Sequence, residues 1–168
     1  MLVSIPIAAL GLVLAAGTAT HEAAPAPTAQ SAPVAQSPLV GRWALDVARI
    51  PADERPQRVT IAFAAAPDNR MMTSVEIVAP DGTATRADSV AGLDGVPVPV
   101  TGTMAFIDTV SLRQPEANTL VMTLGRNGSP ISTRVYTVAD DRQSMTETII
   151  WPGANMPKLE TTYFNRIG

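Results

Sequence analysis

The stretch that decides the fold is Thr119-Leu120-Val121-Met122-Thr123-Leu124-Gly125-Arg126-Asn127-Gly128-Ser129-Pro130-Ile131-Ser132-Thr133-Arg134-Val135-Tyr136. Apolar and hydroxyl residues alternate on both sides of Asn127-Gly128, a dipeptide that favours the two-residue type I′ hairpin turn because both central residues must take positive φ. Such a turn sets Arg126 against Ser129. Regular pairing then puts Leu124 opposite Ile131, Met122 opposite Thr133 and Leu120 opposite Val135 on one face. The other face pairs Thr123 with Ser132, Val121 with Arg134 and Thr119 with Tyr136. One face is apolar and the other polar, the pattern of an antiparallel sheet with an inside and an outside.

The next connection, at Asp140-Asp141, extends the same logic. An even loop brings Arg134 opposite Glu147 as an ion pair on the outer face, whereas an odd loop sets Glu147 against Val135 and loses the pair. The even register is preferred. It lines the interior with Thr133, Val135, Thr137, Thr148, Thr146 and Ser144, and it points Met145, Ile149 and Trp151 outward, where they call for cover.

Turn chemistry recurs about every ten residues through the rest of the chain, at Pro80-Asp81-Gly82, Asp94-Gly95, Pro115-Glu116-Ala117-Asn118 and Pro152-Gly153. It delimits ten expected strands: 40–47, 57–65, 71–78, 83–93, 96–100, 107–113, 119–126, 129–138, 144–151 and 159–165. No segment carries a 3.6-residue apolar period, although 51–55 can hold a single helical turn. The reading is an all-β antiparallel meander closing into a barrel of about 8–10 strands.

Upstream of the strands, residues 2–16 form an apolar run of signal-peptide length followed by the small residues Gly17, Thr18 and Ala19. No Lys or Arg precedes it. We expect 1–19 to be a signal peptide, and with it a periplasmic or secreted bacterial location. Residues 20–38, built from Ala, Pro, Ser, Thr and Gln, have almost nothing to bury and are expected to be a disordered linker. The barrel domain is expected over 39–168, about 130 residues and suited to one core.

Composition excludes more than it selects. The chain has 168 residues, no Cys and one His, and that His21 falls in the expected linker. Thiol nucleophiles, disulfides, thiolate or imidazole metal clusters and His-dependent catalysis therefore lack their parts. Its 12 basic and 15 acidic residues are interspersed, so no basic stripe exists for a nucleic acid. Aromatic residues are 4% of the chain, too few to build stacking platforms.

Two segments resemble a known signature. Gly41-Arg42-Trp43-Ala44-Leu45-Asp46 near the start and Tyr163-Phe164-Asn165-Arg166 at the end are similar to the Gly-x-Trp and late-strand Arg of lipocalins and related calycin barrels. That resemblance implies a structural clasp in which Arg166 lies against the Trp43 ring. A broader similarity runs through 56–61, Pro97-Val98-Pro99-Val100-Thr101-Gly102, Asp108-Thr109-Val110-Ser111-Leu112 and Ser144-Met145-Thr146-Glu147-Thr148. These segments resemble the small exported bacterial lipocalin-like proteins, a calycin-type group without an assigned activity, so the resemblance implies a barrel and no catalytic residues. The lipocalin disulfide cysteines and a late Thr-Asp-Tyr are absent.

Catalysis finds little support in the residues. Most carboxylates sit in turns, where Asp serves the backbone. Glu76, Asp108 and Glu147 lie in expected strands and are best read as solvated or ion-paired. Lys158 lacks a Ser-x-x-Lys context, and 125–129 is a hairpin turn rather than a phosphate loop. We therefore expect a monomeric, non-enzymatic protein with no cofactor, no metal site and no nucleic-acid partner, binding a small apolar or amphipathic ligand. The expected cavity lining is Phe63, Val75, Ile77, Met122, Leu124, Val135 and Thr146. The alternative is a structural or interaction barrel of the cell envelope with a filled core and no ligand, docking on an envelope protein through Met145, Ile149 and Trp151.

Overall fold

The computed structural model describes residues 33–153 and 156–168. The expected signal peptide and most of the expected linker lie outside these residues. Eleven strands follow in order: β1 Gly41–Leu45, β2 Arg58–Ala66, β3 Arg70–Val78, β4 Ala84–Ala91, β5 Val98–Pro99, β6 Thr101–Gly102, β7 Thr109–Glu116, β8 Thr119–Arg126, β9 Ser129–Val138, β10 Ser144–Trp151 and β11 Lys158–Arg166. Two short 3-10 turns, Val34–Gln36 and Val47–Arg49, are the helical elements among the described residues. The single turn expected at 51–55 is present, with Glu54 N donating to the Pro51 carbonyl at 3.0 Å.

All eleven strands form one antiparallel sheet in the order β5-β7-β8-β9-β10-β11-β1-β2-β3-β4-β6. From β7 to β11, and again from β1 to β4, each strand pairs with its chain neighbour, and β11 pairs with β1 to join the two runs. The strand expected at 96–100 shortens to Val98–Pro99, and a further short strand, Thr101–Gly102, follows it. Val98 and Pro99 pair with β7, whereas Thr101 and Gly102 pair with β4, so one short stretch of chain spans the seam. Pro99 has no N–H for a ladder, which confines it to such an edge. The result is an all-β antiparallel meander in a nearly closed barrel of eleven strands.

One register departs from expectation and carries much of the molecule with it. Arg126 does face Ser129, and Asn127 and Gly128 both have positive φ, as the type I′ turn requires. Beyond them, however, Gly125 pairs with Pro130 while Leu124 pairs with Ser132, so Ile131 is an extra residue in β9. This β-bulge advances the pairing by one: Met122 faces Arg134 and Leu120 faces Tyr136. A one-residue slip exchanges the faces of a strand. The interior of β9 is accordingly Ser132, Arg134, Tyr136 and Val138, and Val135 lies on the outer face.

The inversion passes to β10. Its loop has the expected parity, but Glu147 pairs with Tyr136 and Ile149 with Arg134, two residues along from the expected register. Met145, Glu147 and Ile149 point inward and are buried, while Thr146 is exposed. The hydroxyl-lined interior expected from Thr133, Thr137, Thr146 and Thr148 is thus the outer wall. The Met145 and Ile149 docking surface is core, and Trp151 is half-buried at the end of the same inward row.

Below the open end the barrel is filled. Trp43, Phe63, Met71, Leu112, Leu120 and Met145 are essentially inaccessible to solvent, and Leu39 and Val34 close the bottom. Among the described residues, packing therefore extends back to Val34, within the segment expected as linker. Its hold on the barrel is specific: Val34 N donates to Asn69 Oδ1 at 2.8 Å, and Ser37 Oγ donates to the Ala117 carbonyl at 3.2 Å. Residues poor in large side chains are ordered here because two of them, Val34 and Leu39, plug an otherwise open floor.

Candidate functional site

The clasp stands at the closed end. Trp43 and Arg166 are paired across β1 and β11, and the Arg166 guanidinium carbon lies 4.1 Å from the centroid of the Trp43 ring. Three carbonyls accept from the same side chain: Val40 from Nη1 at 2.9 Å, Pro38 from Nη2 at 2.6 Å and Arg142 from Nε at 2.6 Å. Gly41 has φ of +140°, and a Cβ there would run into Arg166 Nη1. The glycine of the Gly-x-Trp segment is thus what lets the arginine cross the strand.

At the opposite end the interior divides into two walls. The apolar wall comes from Val75 and Ile77 of β3, Ala87 of β4, Met122 and Leu124 of β8, and from Met104, Phe106 and Ile107 in the loop between β6 and β7. Beside it, on the strand next to β8, Arg134 and Tyr136 of β9 line the same cavity. The loop is tied down where Thr103 N and Met104 N share the Arg86 carbonyl. Phe106 sits on it with 44% of its surface exposed. The enclosed space is about 60 Å³, and a neighbouring pocket under Thr73, Val100 and Val110 adds about 20 Å³.

Behind the cavity lies a polar network centred on Glu147, which is 3% exposed. Its Oε1 accepts from Arg134 Nη1 at 2.7 Å and from Tyr136 Oη at 2.7 Å, and its Oε2 accepts from Thr162 Oγ1 at 2.8 Å. Burial, and then the Glu147 charge, hold the Tyr136 phenol well above its ordinary range, so it remains a donor. Burial acts to lower the Arg134 value, but Tyr136 and Glu147 outweigh it and the net shift is upward. Arg134 Nε is buried without a hydrogen-bond partner among the described residues. Its guanidinium carbon stands 5.8 Å from the Trp151 ring centroid, and Trp151 Nε1 donates to Glu160 Oε2 at 3.3 Å. Polar groups therefore run from Tyr136 deep inside to Glu160 and Lys158 at the rim, themselves paired at 2.6 Å.

Of the residues expected to line a cavity, Val75, Ile77, Met122 and Leu124 surround this one. Phe63 lies deeper, edge-on to Tyr136 with ring centroids 5.6 Å apart, and belongs to the packed core. Val135 and Thr146 are on the outer wall for the reason the bulge supplies. Sequence reasoning missed Ala87, Met104, Phe106, Ile107, Arg134 and Tyr136. The Arg134–Glu147 pair expected from the sequence forms, but on the inner face instead of the outer one.

The remaining strand carboxylates are placed apart. Glu76 pairs with Arg58 on the exposed side, and Asp108 accepts from the Asn127 N–H at 2.7 Å in the hairpin turn. Glu160, on the rim, is shifted downward by its hydrogen bond from Lys158, opposite to what a general acid needs.

Among known proteins, no family model and no curated protein matches the chain. Among solved structures, the zebrafish ileal bile acid-binding protein, determined in complex with cholic acid, is similar with a TM-score of 0.46 at 10% identity. The match covers 78% of this chain and 100% of that one.

Proposed function

We propose that this chain is a non-catalytic, exported binding protein that takes a small amphipathic molecule at the open end of its barrel. The observation that carries the reading is the division of the open half into an apolar wall and a buried polar wall meeting at one cavity. A molecule with one apolar and one polar end matches both. The cavity as it stands holds only about two waters' volume. Entry therefore requires the 103–108 loop to lift, withdrawing Met104, Phe106 and Ile107 and adding their space to the cavity. Methionine side chains re-pack readily, so Met104 and Met122 suit such an exchange.

The competing reading is a filled structural barrel, and the small volume favours it. Native mass spectrometry of the full chain with octanol, methyl octanoate and octanoate separates the two. A one-to-one adduct with any of the three, lost in Met122→Trp, supports the binding protein. No adduct and no rise in Tm with any of them leaves the filled barrel.

A further inference from the structure

We infer that the ligand's polar end is an uncharged hydrogen-bond acceptor, an ester or ketone carbonyl or a hydroxyl oxygen, and that Glu147 is the residue that excludes carboxylates. This rests on the binding reading above and specifies its ligand class.

An arginine lining an apolar cavity would by itself select an anion, because a buried guanidinium requires a counter-charge. Here the counter-charge is built in. Glu147 sits on the strand next to Arg134, accepts hydrogen bonds from it, Tyr136 and Thr162, and is shielded from solvent. The pair is neutral as a unit. A second carboxylate brought to Arg134 would share one guanidinium with Glu147, and the repulsion between two close carboxylates disfavours ionising both. A neutral acceptor meets no such repulsion. Arg134 Nε is a donor left unpaired among the described residues, whereas the Tyr136 and Thr162 hydroxyl protons already go to Glu147.

Isothermal titration of the full chain at about pH 8, where octanoate is ionised, tests the inference with octanol, methyl octanoate and octanoate. The wild type is expected to bind octanol and the ester at least about tenfold more tightly than octanoate. Any apolar cavity would share some of that preference, so Glu147→Gln decides the cause. Freed of the carboxylate, Arg134 is expected to improve octanoate binding at least about tenfold relative to octanol measured on the same variant. Should E147Q not fold, Glu147→Met, of similar volume, is expected to act in the same direction. Octanoate binding as tightly as octanol to the wild type, or unchanged discrimination in the folded variant, overturns the inference and leaves the binding reading intact. Failure of all three ligands overturns the binding reading itself.

Discussion

Arg166 and Trp43 lie on adjacent strands with the guanidinium carbon 4.1 Å from the ring centroid, and Gly41 is the residue that leaves room for the contact. The first prediction concerns this triangle. Arg166→Ala removes a cation-π contact and three charge-assisted hydrogen bonds, and is expected to destabilise the fold by about 2–4 kcal/mol. Gly41→Ala is expected to cost about 2 kcal/mol or more, from the positive φ and from displacement of Arg166. Because both act on one contact, the double variant should be less destabilised than the sum of the two singles. Chemical denaturation of the four proteins measures it; strict additivity would show that Gly41 does not act through Arg166.

Glu147 and Arg134 supply the second. Removing one partner of a buried ion pair strands the other charge, so Glu147→Ala is expected to lower stability by about 3–5 kcal/mol. Replacing both, as Arg134→Met with Glu147→Leu, is expected to restore at least half of that loss. A double variant no more stable than Glu147→Ala would contradict the assignment of both side chains to the interior.

Both the legibility of this fold and its failure turn on a few residues. Asn127-Gly128 was sufficient to locate the hairpin and its turn because the turn type has strict φ demands that few dipeptides meet. Strand bounds for β8, β9 and β10 follow from alternation together with the turn residues that interrupt it. The inward face of β9 was not readable, because alternation gives the period of a strand and not its phase once an unpaired residue is inserted. Ile131 is apolar and alternates acceptably in either register, so nothing local marks it as extra. Its neighbour Pro130, lacking an N–H, is the one signal that the ladder is irregular there. The cavity suffered twice, from the inverted face of β9 and from Met104, Phe106 and Ile107, which lie in a loop where periodicity has no meaning.

The third prediction follows from Gly125, which pairs with Pro130 at the bulge. A Cβ at this position would run into Thr109 Oγ1 on β7. Gly125→Ala is expected to cost about 1–3 kcal/mol by overpacking, and Thr109→Ala in the same chain should recover most of it. Urea unfolding midpoints would decide; no recovery would place the strain elsewhere.

Acid stability is the fourth. Asp81 and Asp141 are held below their ordinary values mainly by backbone N–H donors, of Thr83 and of Gln143 and Ser144 respectively. Asp88 is held down by the Arg86 side chain, and Glu160 by Lys158. A carboxylate whose folded value is depressed stabilises the protein above its unfolded value, and loses that contribution as pH falls through the folded one. Stability is therefore expected to be flat from about pH 7 to 5 and to decline below about pH 4. Asp141→Asn should shallow the decline. A midpoint that instead falls between neutrality and pH 5 would point to a different titrating group.

The unpaired residue at Ile131 also bears on how this sequence can vary. Which side chains meet the cavity is settled by odd and even counting along β9, and substitution leaves the count alone. Loss of the Ile131 codon would remove only the extra residue and leave Arg134 opposite Met122 and Tyr136 opposite Leu120, whereas a codon gained between Ser132 and Arg134 would turn both to the outer face. In a library of single-codon changes, this hairpin should tolerate the loss of Ile131 far better than a residue added after it.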